Sequence, residues 1–187
     1  MPATLSPPES QASFLPTWMR GRWHVDLGSR DDYRELSRHH YLAGPPATWQ
    51  AIVAVRHGLP EHPLPRLREP GQLAAVGVLS WPTALSKPRR RRFDLGHLGY
   101  GEQIRFANDH LRTISRVIVR PAYRGCGLAR VVIAELLQRC PTRYVEATAR
   151  MAEMHPMFER AGMTRLDAID GETPYFWFDR GAEGGAA

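Results

Sequence analysis

The sequence predicts a mixed α/β fold in one domain, and three observations predict it. Strand-like and helix-like segments alternate along the chain. Strand candidates of the first half follow one another through a proline-rich loop, as antiparallel neighbours do. A hydrophobic strand, a glycine turn, an amphipathic helix and a further strand then succeed each other over residues 113–148, which reads as one parallel crossover. The outcome is a mostly antiparallel sheet with one parallel pair, flanked by helices.

Trp23 to Leu27 alternates apolar and polar residues and predicts the first strand. Ser29 predicts a helix N-cap, with Asp32 completing a capping box. That helix places Tyr33 and Leu36 on one face and ends near Tyr41 to Gly44, before Pro45 and Pro46. Trp49 to Val55 and Gln72 to Trp81 predict an antiparallel strand pair across a loop from Leu59 to Pro70. Pro82 to Gly101 has turn residues and no period. Glu102 to Leu111 suits a short helix, and Thr113 to Val119 is the clearest strand. Leu128, Val131, Val132 and Leu136 recur at helical spacing and predict a helix over 127–139. Tyr144 to Thr148 is a strand. Pro156 opens a helix closed by Gly162 as its C′ residue, and Pro174 to Asp179 is the last strand. Residues 1–16 read as a loose Pro-rich arm, 17–180 as the single domain with a basic insertion at 83–100, and 181–187 as a disordered tail.

The 187 residues suffice for a sizeable core, and 43% hydrophobic with 24% charged residues is ordinary for a globular protein. No apolar run approaches the roughly 20 residues of a membrane span, and no signal peptide is evident, so a cytoplasmic location is expected. Cys126 and Cys140 do not imply a disulfide framework, and no Cys/His spacing resembles a metal site. The formal charge of +6 favours anionic partners, and Lys87 with Arg89, Arg90, Arg91 and Arg92 concentrates much of it. Those arginines read either as a nucleic-acid contact or as a solvated loop.

The chemistry concentrates in Val117-Ile118-Val119-Arg120-Pro121-Ala122-Tyr123-Arg124-Gly125-Cys126-Gly127-Leu128-Ala129. A strand runs into a turn with two glycines and a helix follows at once. The first amides of a helix have no internal acceptor, and its dipole places positive potential there. Glycines let the backbone approach an anion, and Arg124 adds a full charge. The expected ligand is a phosphate or pyrophosphate. Neither the P-loop nor the dinucleotide-binding glycine pattern is present.

Arg124-Gly125-Cys126-Gly127-Leu128-Ala129 resembles the R/Q-x-x-G-x-G/A loop of the GNAT acetyltransferase superfamily, and Met157-Phe158-Glu159-Arg160-Ala161-Gly162-Met163 resembles its closing segment. The resemblance implies a GNAT fold, with the strand Ile114–Val119 splayed from Tyr144–Thr148 into a V. It implies acetyl-CoA as cofactor and an amine, of unknown identity, as acceptor. Val117, Ile118 and Val119 would pair with the pantetheine arm, the amides of 124–129 would cradle the pyrophosphate, and an N–H near Val117 would polarise the thioester carbonyl.

Direct attack of an amine calls for a base and an acid. The family's frequent tyrosine acid is matched by Phe158, and its frequent asparagine by Met151. The candidates left are His155, before the last helix, and Glu146, mid-strand beside the cleft. Each also reads structurally, as a cap or surface histidine and as an outward carboxylate paired with an arginine. Ser115 and Arg116 alternate in direction, so one of them faces the substrate. Arg116 either orients an acidic substrate group or pairs with Glu146. Cys126 reads as a small filler in the phosphate loop.

Arg38-His39-His40-Tyr41 with Ile114-Ser115-Arg116-Val117 is distantly similar to the phage Mom group, whose GNAT-fold members modify adenine in DNA. His40, Tyr41 and Arg89–Arg92 are therefore candidate substrate or nucleic-acid contacts, and His40 and Tyr41 equally read as a helix end packed on the sheet. The alternatives to an acetyltransferase are a nucleic-acid base-modifying enzyme on the same fold and a domain that binds acetyl-CoA without turnover.

Overall fold

A computed structural model describes residues 23–40, 44–58, 71–167, 169 and 171–182. The N-terminal arm, Tyr41, the loop from Leu59 to Pro70 and most of the C-terminal tail lie outside the described residues. The element order is β1 (Trp23–Leu27), α1 (Arg30–Ser37), β2 (Ala51–His57), β3 (Gln72–Ser80), α2 (Lys87–Arg92), α3 (Tyr100–His110), β4 (Leu111–Val119), α4 (Leu128–Arg139), β5 (Tyr144–Thr148), β6 (Thr164–Leu166) and β7 (Tyr175–Asp179). The strands form one seven-stranded sheet in the order β1-β2-β3-β4-β5-β7-β6. All neighbours are antiparallel except β4 and β5.

Helix α1 starts as the sequence predicts. The Ser29 hydroxyl accepts from the Asp32 amide, and the Asp32 carboxylate accepts from the Ser29 amide. It stops at Ser37, earlier than the expected end near Tyr41. Its buried Tyr33 and Leu36 cover one face of the sheet with Ile52, Ala54, Leu73, Val76, Val78 and Ile118. Helix α4 covers the other face through Leu128, Val131, Val132, Ile133, Leu136 and Leu137. Gly77 of β3 makes its close approach possible, since a Cβ there would lie 2.2 Å from the Val132 side chain.

Three elements differ from expectation. The arginine run is helix α2 and not an irregular insertion. It is capped by Ser86, whose hydroxyl accepts from the Arg89 amide, and Pro88 sits in its first turn. An all-basic helix has no hydrophobic period, so only Ser86 and Pro88 signal it. The expected last helix is reduced to short 3-10 turns at Arg150–Glu153 and Glu159–Ala161. Pro156 disfavours helical backbone at His155 and separates the two turns. Gly162 nevertheless closes the second turn with φ +96°, the Met163 amide donating to Phe158 O and its own to Glu159 O. The three-residue strand β6 at the sheet edge was too short to show a period.

Candidate functional site

The parallel pairing of β4 with β5 lasts three residue pairs, Leu111 with Tyr144, Arg112 with Val145 and Thr113 with Glu146. Beyond Thr113 the strands diverge, and β4 continues to Val119 without a partner on that side. The gap is a cleft of about 1030 Å³ lined by Ile114 to Val119, the glycine loop, and the segment after β5.

The β4 wall carries a bulge. Val78 of β3 faces Arg116 and Leu79 faces Ile114, so Ser115 is the extra residue. Ile114 and Val117, three apart, therefore both join the α4-side core, while Ile118 joins the α1 side. Simple alternation had given the cleft either Ser115 or Arg116. With the bulge, both line it. The Ser115 hydroxyl lies 2.6 Å from that of Ser80, which donates to Thr48 O, so Ser115 is tied back to β3. Arg116 donates to Ser115 O at 2.7 Å, and its buried Nε has no hydrogen-bond partner.

The loop at the wide end of the cleft presents open glycines and backbone amides. Gly125 and Gly127 adopt φ +83° and +77°, and a Cβ at either would point into open space. Gly127 caps α4 with no side-chain bond, and the first helical bond of its backbone runs from Val131 N to Gly127 O. The amides of Gly125, Gly127, Leu128, Ala129 and Arg130 have no acceptor among the described residues. Those of Arg124 and Cys126 are used inside the turn, on Pro121 O and Tyr123 O. Two amides of the expected 124–129 cradle are thus taken up inside the turn, and the amides without an acceptor extend to Arg130. Cys126 does not line the cleft; its side chain packs on the core, as a filler does. The Arg124 guanidinium reaches Val119 O and His39 O at 3.4 Å and joins the loop to the end of α1.

Glu146 does not line the cleft. It is 4% exposed and locked in a buried network. Arg89 of α2, 2% exposed, donates to both carboxylate oxygens at 2.9 and 2.6 Å, Thr113 donates at 2.7 Å and Tyr175 at 2.8 Å. Burial and the adjacent Glu146 push the Tyr175 phenol far above its ordinary range, so it stays a donor. Burial opposes the Arg89 charge, and the bond and charge of Glu146 outweigh it. With four donors on its two oxygens, Glu146 has no proton to take from a substrate, and its arginine is Arg89 and not Arg116. The rest of the run is also engaged. Arg90 reaches Gly96 O at 3.3 Å, Arg91 pairs with Glu172 at 3.1 Å, and Arg92 lies 3.6 Å over the Trp177 ring. Arg89 is therefore withdrawn from any surface contact, whereas Arg90 and Arg91 remain exposed.

On the opposite wall, His155 lines the cleft, and Phe158 lines it from a buried position stacked on Phe176 at 4.9 Å. His40 lines it as well, and Tyr41 lies outside the described residues. Two neighbours were not singled out from the sequence. Arg38 lines the cleft, and its Nε donates to His39 Nε2 at 3.4 Å. His39 is held below the usual imidazole range by desolvation and then by the charges of Arg38, Arg120 and Arg124. Among the described residues, the cleft lining contains arginines and histidines and no aspartate or glutamate.

The sequence model of the acetyltransferase (GNAT) family matches residues 31–163. No curated protein matches the chain in sequence. Among solved structures, yncA of Salmonella typhimurium with its cofactor acetyl-CoA superposes with a TM-score of 0.51 at 12% identity, over 85% of this chain and 94% of that one. NAA60 of Arabidopsis thaliana in complex with acetyl-CoA gives 0.51 at 14% identity, over 85% and 99%. The spermidine/spermine N-acetyltransferase SpeG of Vibrio cholerae gives 0.51 at 10% identity, over 90% and 99%. At these identities the likeness is one of fold.

Proposed function

The chain belongs to the acetyltransferase (GNAT) family, and on that premise we propose that it transfers an acetyl group from acetyl-CoA to an amine. The observation that carries the reading is a β4 edge left open beyond Thr113 beside a loop of unspent amides. The residues fit the coenzyme. Open space at Gly125 and Gly127 and the free amides of Gly125 and Gly127 to Arg130 suit its pyrophosphate, and Arg124 and Arg130 in the lining supply charge. The edge of Val117 to Val119 would hold its amide-bearing arm, and an amide near Val117 would stabilise negative charge on the carbonyl oxygen. Bound there, acetyl-CoA supplies an acetyl group activated as a thioester.

Proton handling falls to histidine or water. Glu146 is spent, Phe158 has no proton to give, and no carboxylate among the described residues lines the cleft. His155 is the proposed acid or base on the β5 side, with Ser115 and Arg116 flanking the acceptor on β4. The acceptor amine loses one proton as its nitrogen gains the acetyl group, and the departing thiol carries one. Calorimetry with acetyl-CoA on the wild type and on Gly127→Trp tests the reading. Binding is expected in the first and loss in the second, and a wild type that does not bind sinks it.

A further inference from the structure

A second pocket, of about 590 Å³, lies beside the cleft and shares Arg38 and His40 with it. Helix α1 forms one wall through Arg30, Arg34 and Arg38, spaced four apart on one face, and Trp49 stands opposite. The Tyr33 ring meets Trp49 edge-on at 5.1 Å, and its hydroxyl is committed to Gly44 O, so the pair offers an apolar surface. No aspartate or glutamate among the described residues lines this pocket either.

The acids of α1 are all paired, and none with Arg30 or Arg38. Asp31 pairs with Arg34, Asp32 with Arg56 at 2.6 Å, and Glu35 with Arg120. Arg30 lies over the Trp49 ring at 5.4 Å, Arg38 donates to His39, and Arg116 turns onto its own strand. None of these three has an acidic partner among the described residues. Pocket and cleft thus adjoin at Arg38 and His40, and Arg30, Arg38 and Arg116 face them without an acidic partner among the described residues.

We propose that the acceptor is a small amine carrying a carboxylate or phosphate group. Arg30 and Arg38 hold the anion in the pocket, Tyr33 and Trp49 cover the carbon skeleton, and the amine extends past Arg38 and His40 toward Arg116 on β4. This rests on the acetyl-transfer reading and names its substrate class. A polyamine would meet Arg30, Arg38 and Arg116 along this path, none with an acidic partner among the described residues. The same cations favour the uncharged form of an amine brought among them, which is the form that attacks, in a cleft with no carboxylate base.

The test is binding to the full chain, by calorimetry and thermal shift, of O-phosphoethanolamine, the common L-amino acids, their carboxamides, and spermidine. At least one phosphate- or carboxylate-bearing amine is expected to bind tenfold or more tightly than its uncharged counterpart, and which one identifies the anion. Arg38→Gln or Arg30→Gln should lose tenfold or more of that affinity, Arg38→Lys should recover part of it, and acetyl-CoA affinity should stay the same in Arg30→Gln, whose residue lies outside the coenzyme cleft. Both arginines are exposed, so folding is not at issue. Preference for spermidine or the carboxamides, affinity unchanged in both variants, or no anionic amine bound while acetyl-CoA binds would overturn the proposal and leave the coenzyme reading standing. An anionic amine bound by a protein that does not bind acetyl-CoA would do the reverse.

Discussion

Two sets of arginines flank the same sheet and have opposite fates. Those of α2 stand in the densest basic run of the sequence, yet Arg89 is sealed against Glu146 and Arg91 and Arg92 are held by Glu172 and Trp177. Those on α1 and β4 are scattered, yet Arg30, Arg38 and Arg116 face adjoining cavities with no acid among the described residues of their lining. Local charge density therefore says little about which cations meet a ligand. What decides is whether the fold brings an acid to them. Glu146 comes from β5 and Glu172 from the segment before β7, both far along the chain from Arg89 and Arg91.

The comparison breaks first, if at all, at Arg89. Removing one member of a buried, hydrogen-bonded ion pair leaves the other unpaired, at a cost of about 3–5 kcal/mol. Arg89→Met should lose that much unfolding free energy in urea, and Glu146→Gln a comparable amount. Arg38→Gln, with the same charge change on an exposed residue, should stay within about 0.5 kcal/mol. Equal losses at Arg89 and Arg38 would erase the distinction between the two sets.

Next in size is the glycine loop. Gly127 has φ +77°, a conformation that costs an L-residue roughly 1–2 kcal/mol. Gly127→Val should lower stability by about that amount and weaken acetyl-CoA binding at least tenfold, because its side chain would occupy the open side of the turn. A valine variant that binds as the wild type does would mean that the amides of Gly127 to Arg130 serve some other ligand.

A smaller effect is expected at Arg91, where the Glu172 pair is partly solvated. Exposed pairs contribute about 0–1 kcal/mol, so Arg91→Gln should unfold nearly as the wild type. Arg90→Gln and Arg91→Gln together should also leave retention on a DNA column unchanged, whereas a large loss would restore α2 as a nucleic-acid contact.

Local signals in the sequence carried most of the fold. The Ser29 and Asp32 capping box, the apolar spacing of α4 and the glycine turn each act within a few residues, and each element formed where they place it. The open end of the V was legible only through family resemblance, because the divergence of β4 from β5 depends on pairing across 33 residues. The Ser115 bulge was hidden for the same reason: it is a mismatch with β3, and no residue of Ile114-Ser115-Arg116 announces it. Glu146 was misplaced because period-two logic assigns a face and says nothing of what covers it. Arg89, 57 residues earlier, covers it. The α1 arginines were legible in principle, since acids at 31, 32 and 35 and arginines at 30, 34 and 38 segregate by face, but their significance needed the acids' partners.

The smallest effect tests the α1 side from within. His39 titrates below the ordinary 6.5, through desolvation and the charges of Arg38, Arg120 and Arg124. Between that depressed value and 6.5 the unfolded chain binds more protons at this site than the folded one. Stability contributed here is therefore present above pH 6.5 and falls as the pH drops below it, until the folded imidazole also protonates. His39→Gln should show a smaller fall in Tm between pH 7.5 and pH 5.5 than the wild type. Arg38→Gln should raise the His39 titration midpoint, followed by the imidazole resonances in NMR, because one of the three neighbouring charges is gone. Acetyl-CoA bound at the loop should raise it too, since phosphate near Arg124 offsets another. If neither change moves the midpoint, the uncompensated field drawn along α1 is too weak to select an anion.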